Sequence, residues 1–103
     1  MRDLKITHFD IEGNKFEGKL PEDLFSMSGT VRLSNNRFTG TLPNVETNSK
    51  LLFLDIAANE ISGTIPLDIG RASELYGLDL SMNQITGKIP SSIANLEALT
   101  NCK

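Results

Sequence analysis

One cysteine, Cys102, and one histidine, His8, are all that this chain of 103 residues offers for thiol or imidazole chemistry. A single cysteine excludes an intrachain disulfide and any cysteine-built metal cluster. Free cysteine usually behaves as a small apolar core residue, and Cys102 is expected to do so. No Lys/Arg cluster occurs, and 10 basic residues against 13 acidic ones give a net charge of −3. That balance argues against a nucleic-acid or anionic-membrane footprint. No apolar run approaches the roughly 20 residues that span a bilayer, and the opening "MRDLKITHFDIEG" has no apolar core of a signal peptide. Asn-x-Ser/Thr sequons are missing too, since Asn48 is followed by Ser49 and Lys50. There is no GxSxG, no phosphate-cradling glycine loop and no metal-ligand cluster, so neither a cofactor nor a catalytic site is expected. With 39% hydrophobic and 22% charged residues, the chain has the composition of a folded protein.

What the chain has instead is a phrase said four times: "NKFEGKLP" from Asn14, "NRFTGTLP" from Asn36, "NEISGTIP" from Asn59 and "NQITGKIP" from Asn83. The intervals are 22, 23 and 24 residues. Eight, five and three residues before the asparagine stand apolar residues: Ile6, Phe9, Ile11; Leu51, Leu54, Ile56; Leu75, Leu78, Leu80. The second copy supplies Ser28, Val31 and Leu33, departing only at its first position. An active-site motif occurs once in a chain; four copies at a fixed period mean architecture. Alternation in "LYGLDLS" is the period of a strand with one buried face, and several such strands stacked in parallel can bury together what one alone cannot.

With this period and asparagine placement the chain is identified as a member of the leucine-rich repeat family, and the "xLxGxIP" continuation resembles its plant-type subclass, found in receptor-kinase ectodomains and polygalacturonase-inhibiting proteins. The resemblance covers residues 4 to 102. It implies an α/β repeat solenoid: a short right-handed coil with a parallel concave β-sheet and short helices or 3-10 turns on the convex side. The asparagine is expected to pair backbone groups of its own and neighbouring coils at the turn that leaves each strand. Phe16, Phe38, Ile61 and Ile85, with Leu20, Leu42, Ile65 and Ile89, are expected to fill the interior. Gly18, Gly40, Gly63 and Gly87 suit positive φ or a close approach of the next coil, and the prolines end strand pairing and start a short helix. Leu24, Ile69 and Ile93 are expected to turn inward from the tails. In the second tail, "NVETNSK", Glu46 falls at that position, so an irregular loop with Val45 turned in is expected. Residues 1–103 then form a single segment of about four repeats plus a truncated fifth, in which Leu96, Leu99 and Cys102 continue the repeat in phase. Neither end looks like a cap, which suggests a piece of a longer protein, or a minimal solenoid completed by end-to-end self-association.

Specificity in such a coil must lie on exposed strand residues six, four and two before each asparagine. These are His8, Asp10, Glu12; Thr30, Arg32, Ser34; Phe53, Asp55, Ala57; and Gly77, Asp79, Ser81. Stacking in register aligns Asp10–Arg32–Asp55–Asp79 in one column and His8–Thr30–Phe53–Gly77 beside it. The candidate partner-binding residues are His8, Asp10, Glu12, Arg32, Phe53, Asp55 and Asp79, with Phe53 the least expected side chain for a solvent-facing slot. "LDLS" also resembles the family's common wording, so Asp55, Asp79 and Ser81 are equally readable as plain solvated strand residues. His8 and Cys102 lie four repeats apart, too far to form a catalytic pair. The expected function is non-catalytic recognition of a protein or peptide through the concave face, with no nucleic acid and no membrane contact from this segment. The resemblance implies an extracellular or cell-surface home. An alternative is a structural, surface-adsorbing role like that of ice-binding members, using Thr39, Thr41, Ser62, Thr64 and Thr86 as a hydroxyl-rich side face.

Overall fold

The computed structural model describes residues 8–47, 49–96 and 101–102. The expectations for Ile6 and Leu99, and the sequon position Asn48, lie outside the described residues, and of Cys102 only the backbone is described. Two parallel sheets run along a solenoid. The front sheet contains β1 (His8–Asp10), β3 (Gly29–Arg32), β5 (Leu51–Asp55), β7 (Gly77–Asp79) and β9 (Asn101–Cys102), stacked in that order. The side sheet contains β2 (Glu17–Lys19), β4 (Arg37–Gly40), β6 (Glu60–Gly63) and β8 (Gln84–Ile85). Each strand pairs with the equivalent strand one coil away, never with its sequence neighbour, because the turn after it carries the chain to another side of the coil. Cys102 stands opposite Leu78, where the repeat arithmetic puts it.

The expected interior is largely present. Val31, Leu33, Leu51, Leu54, Ile56, Leu75 and Leu78 are buried from the front sheet, and Leu20, Phe38, Leu42 and Ile61 from the segments that follow. Two expectations need correction. Phe16 is 49% exposed and Ile89 is 64% exposed, although their counterparts Phe38, Ile61 and Leu42 are buried. Phe16 adjoins β2 and Ile89 follows β8, the two outer strands of the side sheet among the described residues. Burial in a stack depends on the neighbour as much as on the residue.

The convex side is made of 3-10 turns at Leu24–Ser26, Ile69–Arg71 and Ser91–Asn95, with no α-helix among the described residues. Two of these turns do not begin at the proline. Asp23 and Asp68 occupy the N-cap, and the Pro21 and Pro66 carbonyls accept from Leu24 and Ile69 N–H at 3.1 Å; Pro90 itself caps the third. Leu24 and Ile69 are buried, and Ile93 packs partly buried against the core. Among its described residues the second tail forms no such turn, and Val45 is turned into the core as expected. Phe25 is fully buried as well, a core residue that the repeat pattern did not mark. Val45 joins the core in the repeat whose own pattern is deficient at Ser28 and Glu46, and Phe25 joins it from the tail just before that repeat.

Candidate functional site

The asparagines anchor the front sheet's exit. Asn59 Nδ2 donates to the Ile56 and Ala57 carbonyls of its own coil and to Leu33 of the preceding one at 2.9 Å, while Oδ1 accepts from Phe38 N–H at 3.0 Å. Asn36 and Asn83 repeat that set. Asn14 is exposed and, among the described residues, reaches only Ile11 and Glu12 of its own coil. The residue before each asparagine has positive φ: Gly13 at 77°, Asn35 at 57°, Ala58 at 56° and Met82 at 56°.

Strand register puts His8, Thr30, Phe53 and Gly77 in one column and Asp10, Arg32, Asp55 and Asp79 in the next. Within those columns the side chains are already engaged. Asp10, Asp55 and Asp79 each turn Oδ1 back to accept the backbone N–H two residues on, from Glu12, Ala57 and Ser81 at 2.9–3.1 Å. A carboxylate so used closes the strand's exit as an Asx turn, a physical reason for the recurrent aspartate. Asp55 is corrected from solvent-facing to buried, at 9% exposure, with the Arg32 guanidinium 3.7 Å from its Oδ2. Ser34, expected to face outward, is also buried. His8 Nδ1 meets Thr30 Oγ1 at 2.8 Å.

Phe53 does not stand alone in solvent. The Arg32 guanidinium lies 5.0 Å from its ring centroid, a cation–π contact, and the Tyr76 ring is 5.8 Å away, tilted by 33°. Its ring lies across Gly77, where a Cβ would collide with Phe53 Cδ1. Tyr76 and Arg32 thus join Phe53 in one cluster. Tyr76 is not legible from the repeat, because the recognition positions lie at even offsets from the asparagine and Tyr76 lies at an odd one.

Elsewhere the surface offers less. A cleft of about 800 Å³ opens away from the front sheet beside Lys19, Glu22, Asp23, Asn44 and Glu46, where the second tail is irregular. On the side sheet the register is staggered, so Lys19 stands opposite Thr39, and Thr39 opposite Glu60. Ser62 and Thr86 donate to the Gly40 and Gly63 carbonyls at 3.4 Å. The hydroxyls therefore form no straight row. His8 and Cys102 occupy opposite edges of the front sheet, about 19 Å apart at 4.8 Å per strand. No group of His, Cys, Asp and Glu among the described residues is placed to hold a metal ion, and no helix there is long and apolar enough to cross a membrane.

A parallel solenoid with an asparagine at every strand exit defines the class. The chain belongs to the Leucine Rich Repeat family, whose pattern matches residues 5–27, 50–72 and 74–96, and within it to the plant type. It is 45% identical over 67 residues to receptor like protein 22 of Arabidopsis thaliana and 42% identical over 66 residues to receptor like protein 23. Each match takes in 60% of this chain but only 9% and 7% of those proteins, so the chain spans less than a tenth of their length. Among solved structures it resembles the BIR2 ectodomain of Arabidopsis thaliana (TM-score 0.77, 31% identity, 89% of this chain and 50% of that one). It also resembles the Arabidopsis receptor kinase HAESA, solved with the peptide hormone IDA and the co-receptor SERK1 (TM-score 0.78, 29% identity, 89% of this chain and 16% of that one).

Proposed function

We propose that the chain is a non-catalytic recognition segment of a cell-surface receptor-like or inhibitor protein, and that it binds a protein or peptide through the front sheet. The observation that carries this reading is the Arg32–Phe53–Tyr76 cluster, a half-buried aromatic platform on an otherwise polar strand face. Aromatic and arginine side chains are the usual anchors of protein contacts. Likeness to receptor ectodomains, one of them solved with a peptide hormone, supports the same reading. Catalysis is disfavoured because Asp55 and Asp79, the adjacent carboxylates, are both spent on strand-exit N–H groups.

The test is a selection of short random peptides on the immobilised chain, followed by two sets of substitutions. Replacing His8, Phe53 and Asp79 by alanine should abolish capture of the selected peptides. Replacing Lys19, Thr41 and Lys88 on the side face should leave it intact. The opposite result would move the binding surface to the side sheet.

A further inference from the structure

Among the described residues the front sheet has one irregularity, and it lies beside the aromatic cluster. Between β3 and β5 the register slips: Gly29 stands opposite Leu51 and Thr30 opposite Phe53, leaving Leu52 as the extra residue of a bulge. Bulges re-aim neighbouring side chains and recur next to functional sites. Leu52 is 37% exposed, and Tyr76, whose N–H donates to the Leu52 carbonyl at 2.8 Å, is 44% exposed. With Phe53 lying across Gly77 and the Tyr76 ring beside it, Leu52, Phe53 and Tyr76 put three partly exposed apolar side chains at the corner where β5 and β7 begin. Three unusual choices converge here: the slip, the missing Cβ of Gly77 and the guanidinium of Arg32 against the Phe53 ring.

The charge around this corner is one-sided. Arg32 is paired with Asp55, and Lys50 with Glu74 at 3.1 Å. Asp10, Glu12 and Asp79 have no cationic partner among the described residues. Asp79 uses Oδ1 for Ser81, while its Oδ2 takes part in no hydrogen bond among the described residues. It stands two residues along β7 from Gly77, about 7 Å at the rise of a strand. An extended peptide presents side chains i and i+2 to one side at the same spacing.

The geometry points to Leu52, Phe53 and Tyr76, with Asp79 beside them, as an anchoring subsite for an extended peptide segment that carries an apolar or aromatic side chain and, two residues away, a lysine or arginine. This rests on the front-sheet reading above and specifies its ligand chemistry. The apolar residue covers the corner, and the cation meets the one carboxylate within reach that has no counter-charge. A free small molecule would find no enclosure on this open face.

Three labelled peptides of equal length test it against the 103-residue chain: Phe-x-Arg, Phe-x-Glu and Ala-x-Arg in a Gly/Ser background. Binding is followed by anisotropy and by the emission of Tyr76, the only tyrosine in a chain without tryptophan. Phe-x-Arg should bind at least about tenfold tighter than either of the others, and added salt should reduce that margin. Asp79→Asn should remove the preference for Arg over Glu, and Phe53→Ala or Tyr76→Ala the preference for Phe over Ala, with thermal melts confirming that each variant folds. Equal binding of Phe-x-Glu, or a preference that survives Asp79→Asn, overturns the proposal. If randomly selected peptides lacking a basic residue bind through Phe53, the subsite chemistry falls while the front-sheet reading stands. If no peptide responds to Phe53→Ala or Asp79→Asn, both fall.

Discussion

At the scale of the residue, the asparagines and the positions before them carry most of the stability argument. Asn59 satisfies three carbonyls and one N–H of two coils. Asn59→Ala should lower the free energy of unfolding by about 2–3 kcal/mol, since it leaves buried backbone groups unpaired. Asn14→Ala, which removes only contacts within an exposed coil, should cost clearly less; urea denaturation of both variants measures the difference. Ala58 and Met82 hold left-handed φ without glycine's freedom. Ala58→Gly should therefore raise stability by up to about 1 kcal/mol, visible as a higher denaturation midpoint. The repeat made the asparagine's role legible in advance. It did not make the strained residue before it legible, because Gly13, Asn35, Ala58 and Met82 share no side-chain chemistry, only a backbone angle.

At the scale of the element, glycine has two distinct uses. Gly63 lies on the side sheet with φ of 84°, and a Cβ there would come within 2.7 Å of Thr41 Cγ2. Gly63→Ala meets both a forbidden angle and a neighbour, and should destabilise by about 2 kcal/mol in thermal or urea melts. Gly77 on the front sheet has no such angle; its missing Cβ only makes room for the Phe53 ring. Gly77→Ala should displace that ring, so the near-ultraviolet signal and emission of Tyr76 should change while the melting temperature falls by less than in Gly63→Ala. The sequence announced the first use, because Gly63 recurs in the repeat. The second was hidden, because it depends on which side chain the preceding coil lays across it.

At the scale of the whole molecule, each coil is held by its neighbours, so the same substitution should matter more in the middle than at the edge. Leu54 is fully buried in β5 with coils on both sides, and Leu54→Ala should cost about 3 kcal/mol. Ile89→Ala, at an exposed site of equal apolar character, should cost well under 1 kcal/mol. Hydrogen exchange should rank amide protection in the same order, with β5 the slowest. Equivalent positions in the repeat thus differ in energy, a difference that no single copy of the motif records.

The sequence by itself determined the period, the stacking of parallel strands, the asparagine turns and which residues share a column, because these follow from side-chain alternation and a fixed repeat. Tertiary structure alone decided three things. It set the exposure of Phe16 and Ile89, which flank the two outer strands of the side sheet. It spent the aspartate carboxylates on their own backbone, which takes local geometry to see. It also set Phe53 beneath Arg32 and beside Tyr76, next to a one-residue slip at Leu52 between coils of unequal length. A repeat specifies what its copies share, whereas a binding surface is built from what they do not.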